Sequence, residues 1–345
     1  MRETDAAATV ESVTQRYARF AREEAPDRSA LYEEWARGVA AEPAVAGILA
    51  RIPADRRQPP LVFAVTRMLG APEGRFEEWA DWLGAHADEV VAEASGRRLQ
   101  TNEPQRCAAL LPALATVDGP IALLEIGASA GLCLFPDRYS YRFRDQGAVT
   151  ALDPEDGPSA VVLECEVSGD PPLRMPDIVW RAGIDLAPLD ARAEEDRRFL
   201  TSLVWPGESG RVVRIEAALD VVAADPPLLY AGDATDPEVL RQASARAPHD
   251  ATLVVTTPGV LPHIPRAGRE RLIRTLRTLD AVWITIDPPA LHEAGRGREG
   301  RPPVDGAAWG GFVLARDAEP LAAVDPLGAF VHWRAWRTEG TDAAG

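Results

Sequence analysis

Four residues open a chemical reading of the chain. Glu125 stands near the end of an apolar run, Ile121 to Ile126, and Gly127, Ser129 and Gly131 alternate with alanines immediately after it. A carboxylate in an apolar strand end is expensive unless it has a partner, and a ligand hydroxyl or a cation is a natural one. A loop of small residues lets that ligand come close to the backbone, and a helix start after it would present free N–H groups. The pattern predicts strand, tight turn and helix start, with the ligand at the carboxyl end of the strand.

Further candidates lie before and after this loop. Asn102, Glu103 and Arg106 cluster just ahead of the strand, where Thr101 or Asn102 can cap a helix whose first turn accommodates Pro104. Downstream, Asp185 ends the run Asp177 to Asp185, 60 positions after Glu125. An acid at the end of a second strand can accept from a ribose diol, although dinucleotide folds place it only about 20 residues on. An insertion between the two strands accounts for the excess. Asp233 and Ala234 follow a third run, Leu228 to Ala231, while Thr256, Thr257 and His263 close a fourth.

Composition narrows the ligand. A net charge of −16 repels polyphosphate, which argues against nucleic acid and against an anionic membrane surface. All 37 basic side chains are arginine, a coding-bias signature rather than a functional one. The N-terminal segment lacks the apolar core of a signal peptide, and no stretch approaches the roughly 18 apolar residues of a membrane span. A cytoplasmic protein is expected. Three scattered cysteines, Cys107, Cys133 and Cys165, predict reduced thiols, and the five histidines show no metal-ligand spacing.

The elements that must position these residues divide in two. Residues 1–116 read as a helical domain, with helices expected over Ala30 to Val39, Leu61 to Leu69 and, as one amphipathic helix, Phe76 to Val91. Residues 117–337 read as an α/β domain in which strands and helices alternate. That alternation predicts a doubly wound, mostly parallel sheet with its ligand at the carboxyl edge. Within it, 137–170 is expected to be a small antiparallel β insertion. Residues 288–310 read as a long loop or lid, Gly311 to Arg316 and Ala329 to Trp336 as a closing pair of edge strands, and 338–345 as a disordered tail.

The loop Glu125 to Gly131 resembles the first motif of class I S-adenosylmethionine-dependent methyltransferases, with Ser129 in place of the middle glycine. On that resemblance the sheet is Rossmann-like, the cofactor is S-adenosylmethionine and the acceptor is a small molecule. Glu125 and the 127–131 loop, Asp185 at the ribose, and Asp233 and Ala234 at the adenine are then cofactor-binding. Asn102, Arg106, Thr256 and Thr257 become substrate-side candidates, and His263 or Glu103 an acceptor base. The segments TNEPQRCAALLPAL, LLEIGASAGLCLFPDRYSYRF, LECE, WRAGIDLAPLD, LVWPG and AGDA are together similar to an actinobacterial domain-of-unknown-function family, number 2332.

Two alternatives stay open. Gly127 to Gly131 is also GxSxG, the nucleophile elbow of α/β-hydrolases, with Ser129 as nucleophile and Asp233 with His263, or Asp287 with His292, in the required chain order. The other is a protein of this fold that binds S-adenosylmethionine or a nucleotide without turnover.

Overall fold

The computed structural model describes residues 3–100, 102–293 and 309–333. The chain forms two compact units, one from Met1–Thr101 with Arg192–Glu216 and the other from Asn102–Ala191 with Ala217–Gly345. The division falls at 101/102 rather than at 116, and a later segment, 192–216, joins the helical unit.

The first unit contains α1 (Glu3–Glu23), α2 (Ala30–Ala41), α3 (Pro43–Leu49), α4 (Pro59–Met68), α5 (Phe76–Ala85), α6 (Ala87–Gly96) and α8 (Glu194–Ser202). The single helix expected over Phe76 to Val91 is two, divided at His86, whose ring stacks on Trp82. Aromatic packing forms the core: Trp35 stacks on Trp79 at 5.1 Å, and Phe63 meets Tyr32, Trp35 and Trp79 at 4.9–5.5 Å. Trp205 explains why 192–216 belongs here. Its ring packs on Phe20 and Tyr32 at 5.3 and 5.6 Å, with the Arg28 guanidinium 3.7 Å above it. Arg67 completes the attachment by donating to the carbonyls of Ser202 and Val204 at 2.8 and 2.7 Å.

In the second unit, α7 (Arg106–Leu114) precedes the sheet, and every residue of it from Cys107 to Leu114 is buried. It has no side-chain cap: Gln105 holds the cap position and Asn102 is engaged elsewhere. Thr101, the other expected cap, lies outside the described residues.

The strands are β1 (Ile121–Ile126), β2 (Ser140–Asp145), β3 (Ala148–Leu152), β4 (Val162–Ser168), β5 (Ile178–Asp185), β6 (Leu228–Ala231), β7 (Thr252–Pro258), β8 (Val282–Asp287), β9 (Phe312–Arg316), β10 (Glu319–Val324) and β11 (Phe330–Trp333). Helices α10 (Pro237–Ser244), α11 (Arg266–Leu276) and α12 (Pro289–Glu293) punctuate its later part, and α9 (Ser209–Ala224) is divided between the two units at 216/217.

Among the described residues, all these strands form one sheet in the order β3-β2-β4-β11-β10-β9-β8-β7-β1-β5-β6. The run β8-β7-β1-β5-β6 is parallel throughout. The chain builds outward from β1 to β5 and β6, then returns to lay β7 and β8 on the other side, so the winding reverses between β1 and β7. Leu124, Ile126, Ala182, Ile184 and Val255 from this run join Leu240, Ala243, Leu272 and Leu276 of α10 and α11 in one core. Alternation turns Glu125 and its register partners Gly183 and Thr256 to the opposite face.

Two expectations about the rest of the sheet are corrected. The segment 137–170 is not a separate antiparallel insertion, because β4 pairs parallel with both β2 and β11 and so extends the main sheet. Nor are the last strands an edge hairpin. Three strands, β9, β10 and β11, lie in mid-sheet with β10 antiparallel to both its neighbours, joining β8 to β4. The run Pro320 to Val324 gives little strand signal because proline and small residues weaken its β pattern; in the sheet its register shifts between Pro320 and Ala322. Most of the 288–310 loop and the tail from 334 onward lie outside the described residues.

Candidate active site at the carboxyl edge of the parallel strands

The carboxyl ends of the five parallel strands carry Glu125 and the 127–131 loop (β1), Asp185 (β5), Gly232–Ala234 (β6), Pro258–His263 (β7) and Asp287 (β8). Open α/β sheets bind ligands at this edge, where the winding reverses. The topology thus gathers most of the sequence-predicted residues on one rim.

The loop after β1 adopts an unusual backbone. Gly127, Ser129 and Gly131 all have positive φ, at 78°, 53° and 82°. Glycine takes that conformation freely, whereas for Ser129 it is uncommon and must be held. Asp185 holds it: one carboxylate oxygen accepts the Ser129 N–H at 2.9 Å, and the other accepts the Ala187 N–H at 2.8 Å. From the other side the Asn102 amide donates to the Ser129 hydroxyl. The packing is close, since a Cβ on Gly183 would come within 2.3 Å of Ala128 Cβ, and one on Gly127 within 2.8 Å of Val260 Cγ2.

The loop is not the open set of N–H donors its glycines suggest. Gly127 and Ala128 donate to the Ile184 carbonyl at 2.8 and 3.3 Å, and Gly131 donates to Ala128 at 2.6 Å. Beyond Gly131 the chain makes only a short 3₁₀ turn, Leu132–Leu134, in place of the expected helix start. With these N–H groups committed, the loop is poorly suited to cradle a phosphate.

Glu125 has the opposite character. It is 4% exposed, and its Oε2 is buried without a hydrogen-bond partner. Burial, with some help from Cys133 and Asp185, pushes its pKa well above the carboxylate range, while Arg106 pulls it down. A carboxyl in this state gains most from a ligand that brings a proton donor or a positive charge.

Arg106 links the elements around it. Its Nε donates to Pro326 O at 3.0 Å and its Nη1 to Pro258 O at 3.1 Å, fixing the end of β7. Gly259, at φ 72°, lies under the guanidinium, and a Cβ there would stand 3.2 Å from Nη2. Glu103 is buried and accepts the Gln105 N–H at 3.1 Å.

The remaining predicted residues divide. Thr256 is buried in register with Glu125, and the buried Thr257 accepts the Trp283 indole N–H on its hydroxyl at 3.0 Å. Asp233 turns back to accept the Thr235 N–H at 2.8 Å, and Ala234 packs into the core beside Leu240. His263 sits in a 3₁₀ turn, Leu261–His263; close packing and the Arg106 charge hold its pKa below the ordinary value.

Asp287 enters the sequence reading only through the hydrolase alternative, beside His292. It is fully buried at the end of β8, with Oδ1 unpartnered and Oδ2 receiving the Thr285 hydroxyl. Burial pushes its pKa up to about 7 against the opposing effects of Thr285, Arg269, the Leu261 N–H and Arg106. The available signal was an acid ending the apolar run Val282 to Asp287, the same signal that marked Glu125.

Among the described residues no helix is long and apolar enough to cross a membrane. A family model described as "Uncharacterized protein conserved in bacteria", DUF2332, matches residues 14–333. No curated protein matches the chain.

Proposed function

The chain belongs to that bacterial family, and on its residues we propose that it binds S-adenosylmethionine at the β1 loop and transfers a methyl group to a small molecule. The observation that carries this reading is the buried Glu125 carboxyl, unpartnered at Oε2, beside a left-handed loop at the reversal of the parallel strands. The order β6-β5-β1-β7-β8 supports a Rossmann-like sheet of the methyltransferase kind.

Local chemistry favours a cationic ligand over a dinucleotide. The loop N–H groups are committed and Glu125 Oε2 has no hydrogen-bond partner, so positive charge is welcome and pyrophosphate is not. Glu125 would face the ammonium or sulfonium charge of the cofactor. Asp185 uses one lone pair on each oxygen for the loop and keeps another for a ribose hydroxyl. Asp233 would lie near the adenine. When bound, the cofactor supplies an electrophilic methyl carbon. The chain's part is to hold the acceptor in line with it and to keep water out.

Isothermal titration with S-adenosylmethionine and S-adenosylhomocysteine tests the reading, using the wild type and Glu125→Gln. Binding to both ligands, with the methionine form weakened more in the variant, is the expected result. No heat with either ligand, in a protein with a cooperative melt, removes the reading.

One observation favours a hydrolase instead. Ser129 sits at φ 53° in a strand-to-turn corner, the strained geometry of a nucleophile elbow. Its hydroxyl takes a hydrogen bond from the Asn102 amide, however, and an amide cannot serve as the base. Covalent labelling by a fluorophosphonate, lost in Ser129→Ala, would make this the better reading.

A further inference from the structure

Glu125 is not the only acid on this rim with an idle oxygen. Asp287 Oδ1 is buried without a partner at the end of β8, separated from β1 by β7. Its other oxygen receives the Thr285 hydroxyl, and Oδ1 is the oxygen without a hydrogen-bond partner. Two cations lie in electrostatic reach, Arg269 from α11 and Arg106 from α7, and the Leu261 N–H comes from the turn after β7. The same Arg106 acts on Glu125 and His263, which ties these groups into one electrostatic neighbourhood.

The cofactor reading uses the β1, β5 and β6 ends and leaves Asp287 without a task. A carboxyl oxygen buried there with nothing to bind is costly, and a polar hydrogen from a second small molecule removes the cost. A ligand acid would meet a carboxyl already short of partners. A proton-bearing nucleophile suits it.

We infer that the carboxyl end of β8 is the acceptor subsite, that the acceptor carries a hydroxyl or an amine, and that Asp287 Oδ1 takes the proton of that group. This rests on the methyl-transfer reading. In the step, the acceptor O–H or N–H bond breaks and its proton passes to Oδ1. For a hydroxyl, the freed pair on oxygen forms the bond to the methyl carbon. For an amine, the nitrogen lone pair forms it and the N–H pair remains on nitrogen as its new lone pair. In both cases the carbon–sulfur pair stays on sulfur as a neutral thioether. Asp287 therefore begins ionised and ends protonated, a cycle available to an acid that titrates near neutrality.

The test is carbon NMR of the full chain labelled at the aspartate carboxyl carbons. Asp287 is assigned by the resonance lost in Asp287→Asn, or, should that variant not fold, by the one moved to higher pH in Thr285→Ala. Catechol, butylamine and butyrate are added in turn to protein saturated with S-adenosylhomocysteine. Catechol or butylamine should shift the Asp287 resonance and move its titration midpoint to lower pH, with butyrate inert. An unmoved resonance with all three probes, while S-adenosylhomocysteine binds, overturns the subsite and leaves the cofactor reading standing. Absence of S-adenosylhomocysteine binding overturns both.

Discussion

Asp185 fixes the conformation of Ser129, its carboxylate accepting the Ser129 N–H at 2.9 Å while that residue stands at φ 53°. The acid ending β5 and the loop ending β1 are therefore one device. A carboxylate that also accepts the Ala187 N–H is shared between two loops, so its first task is to shape the rim. Any ligand hydroxyl it binds meets an oxygen already held in place by the backbone.

Removing that device should cost stability before it costs binding. Asp185→Asn keeps the size but replaces one acceptor with a donor facing an N–H. A loss of about 1–3 kcal/mol is expected, the range for stranding a buried hydrogen-bonding group. Ser129→Gly should fall within about 1 kcal/mol of the wild type, because relief of the left-handed backbone offsets the lost Asn102 contact. Ser129→Val, β-branched at positive φ, should be clearly worse. Urea titrations of the three variants check the order.

Glu125 predicts a proton coupling to binding. Its pKa is raised in the free protein, mainly by burial, and a positive ligand favours the ionised form. Binding of S-adenosylmethionine should release a proton, and affinity should rise with pH until the free carboxyl ionises. Titrations in buffers of different ionisation enthalpy measure the release directly. An equal proton count in Glu125→Gln would assign it to another group.

Much of the rim is legible in the sequence because each strand ends in a chemical break: Glu125 before a glycine loop, Asp185 before a leucine and proline, Gly232-Asp233, and Pro258-Gly259. These breaks are local, and sequence displays local features. The pairing of β4 with β11 is not local, since Glu166 meets Phe330 across more than half the α/β unit. No periodicity carries that information. The commitment of the loop N–H groups is hidden for the same reason, as their acceptors are the Ile184 carbonyl and the Asp185 side chain on another strand. Thr257 reads as available because its donor, Trp283, comes from β8. Trp205 likewise gives no sign in the sequence that it completes an aromatic core begun by Phe20 and Tyr32.

Arg106 should prove hard to replace. Its two donors reach carbonyls far apart in sequence, Pro326 and Pro258 at the end of β7, and the planar guanidinium lies over Gly259. A lysine has a single ammonium and cannot span both. Arg106→Lys is expected to lose about 1–3 kcal/mol, with Gly259→Ala destabilising through the same contact and its positive φ. Thermal melts of the single and double variants test the linkage: coupled sites should give a double variant less destabilised than the sum of the two.

Asp287 sets a pH dependence of stability with a definite sign. Its pKa is about 7 folded against an ordinary 3.8, so the folded state holds the proton more tightly. Between those values the folded chain binds more protons than the unfolded chain, and the contribution of this group falls as pH rises. It is most favourable below about pH 4 and is lost by the time pH passes about 7, where ionising the buried acid costs up to about 4 kcal/mol at about 1.4 kcal/mol per pH unit. Asp287→Asn keeps the shape and cannot ionise. The variant should therefore gain on the wild type from about pH 4 to about pH 7 and level off above it, with the higher relative stability at the alkaline end. Chemical denaturation across that range, with Glu125→Gln as a parallel series, measures the slope. A difference between wild type and Asp287→Asn that stays flat with pH would place the titration on another group.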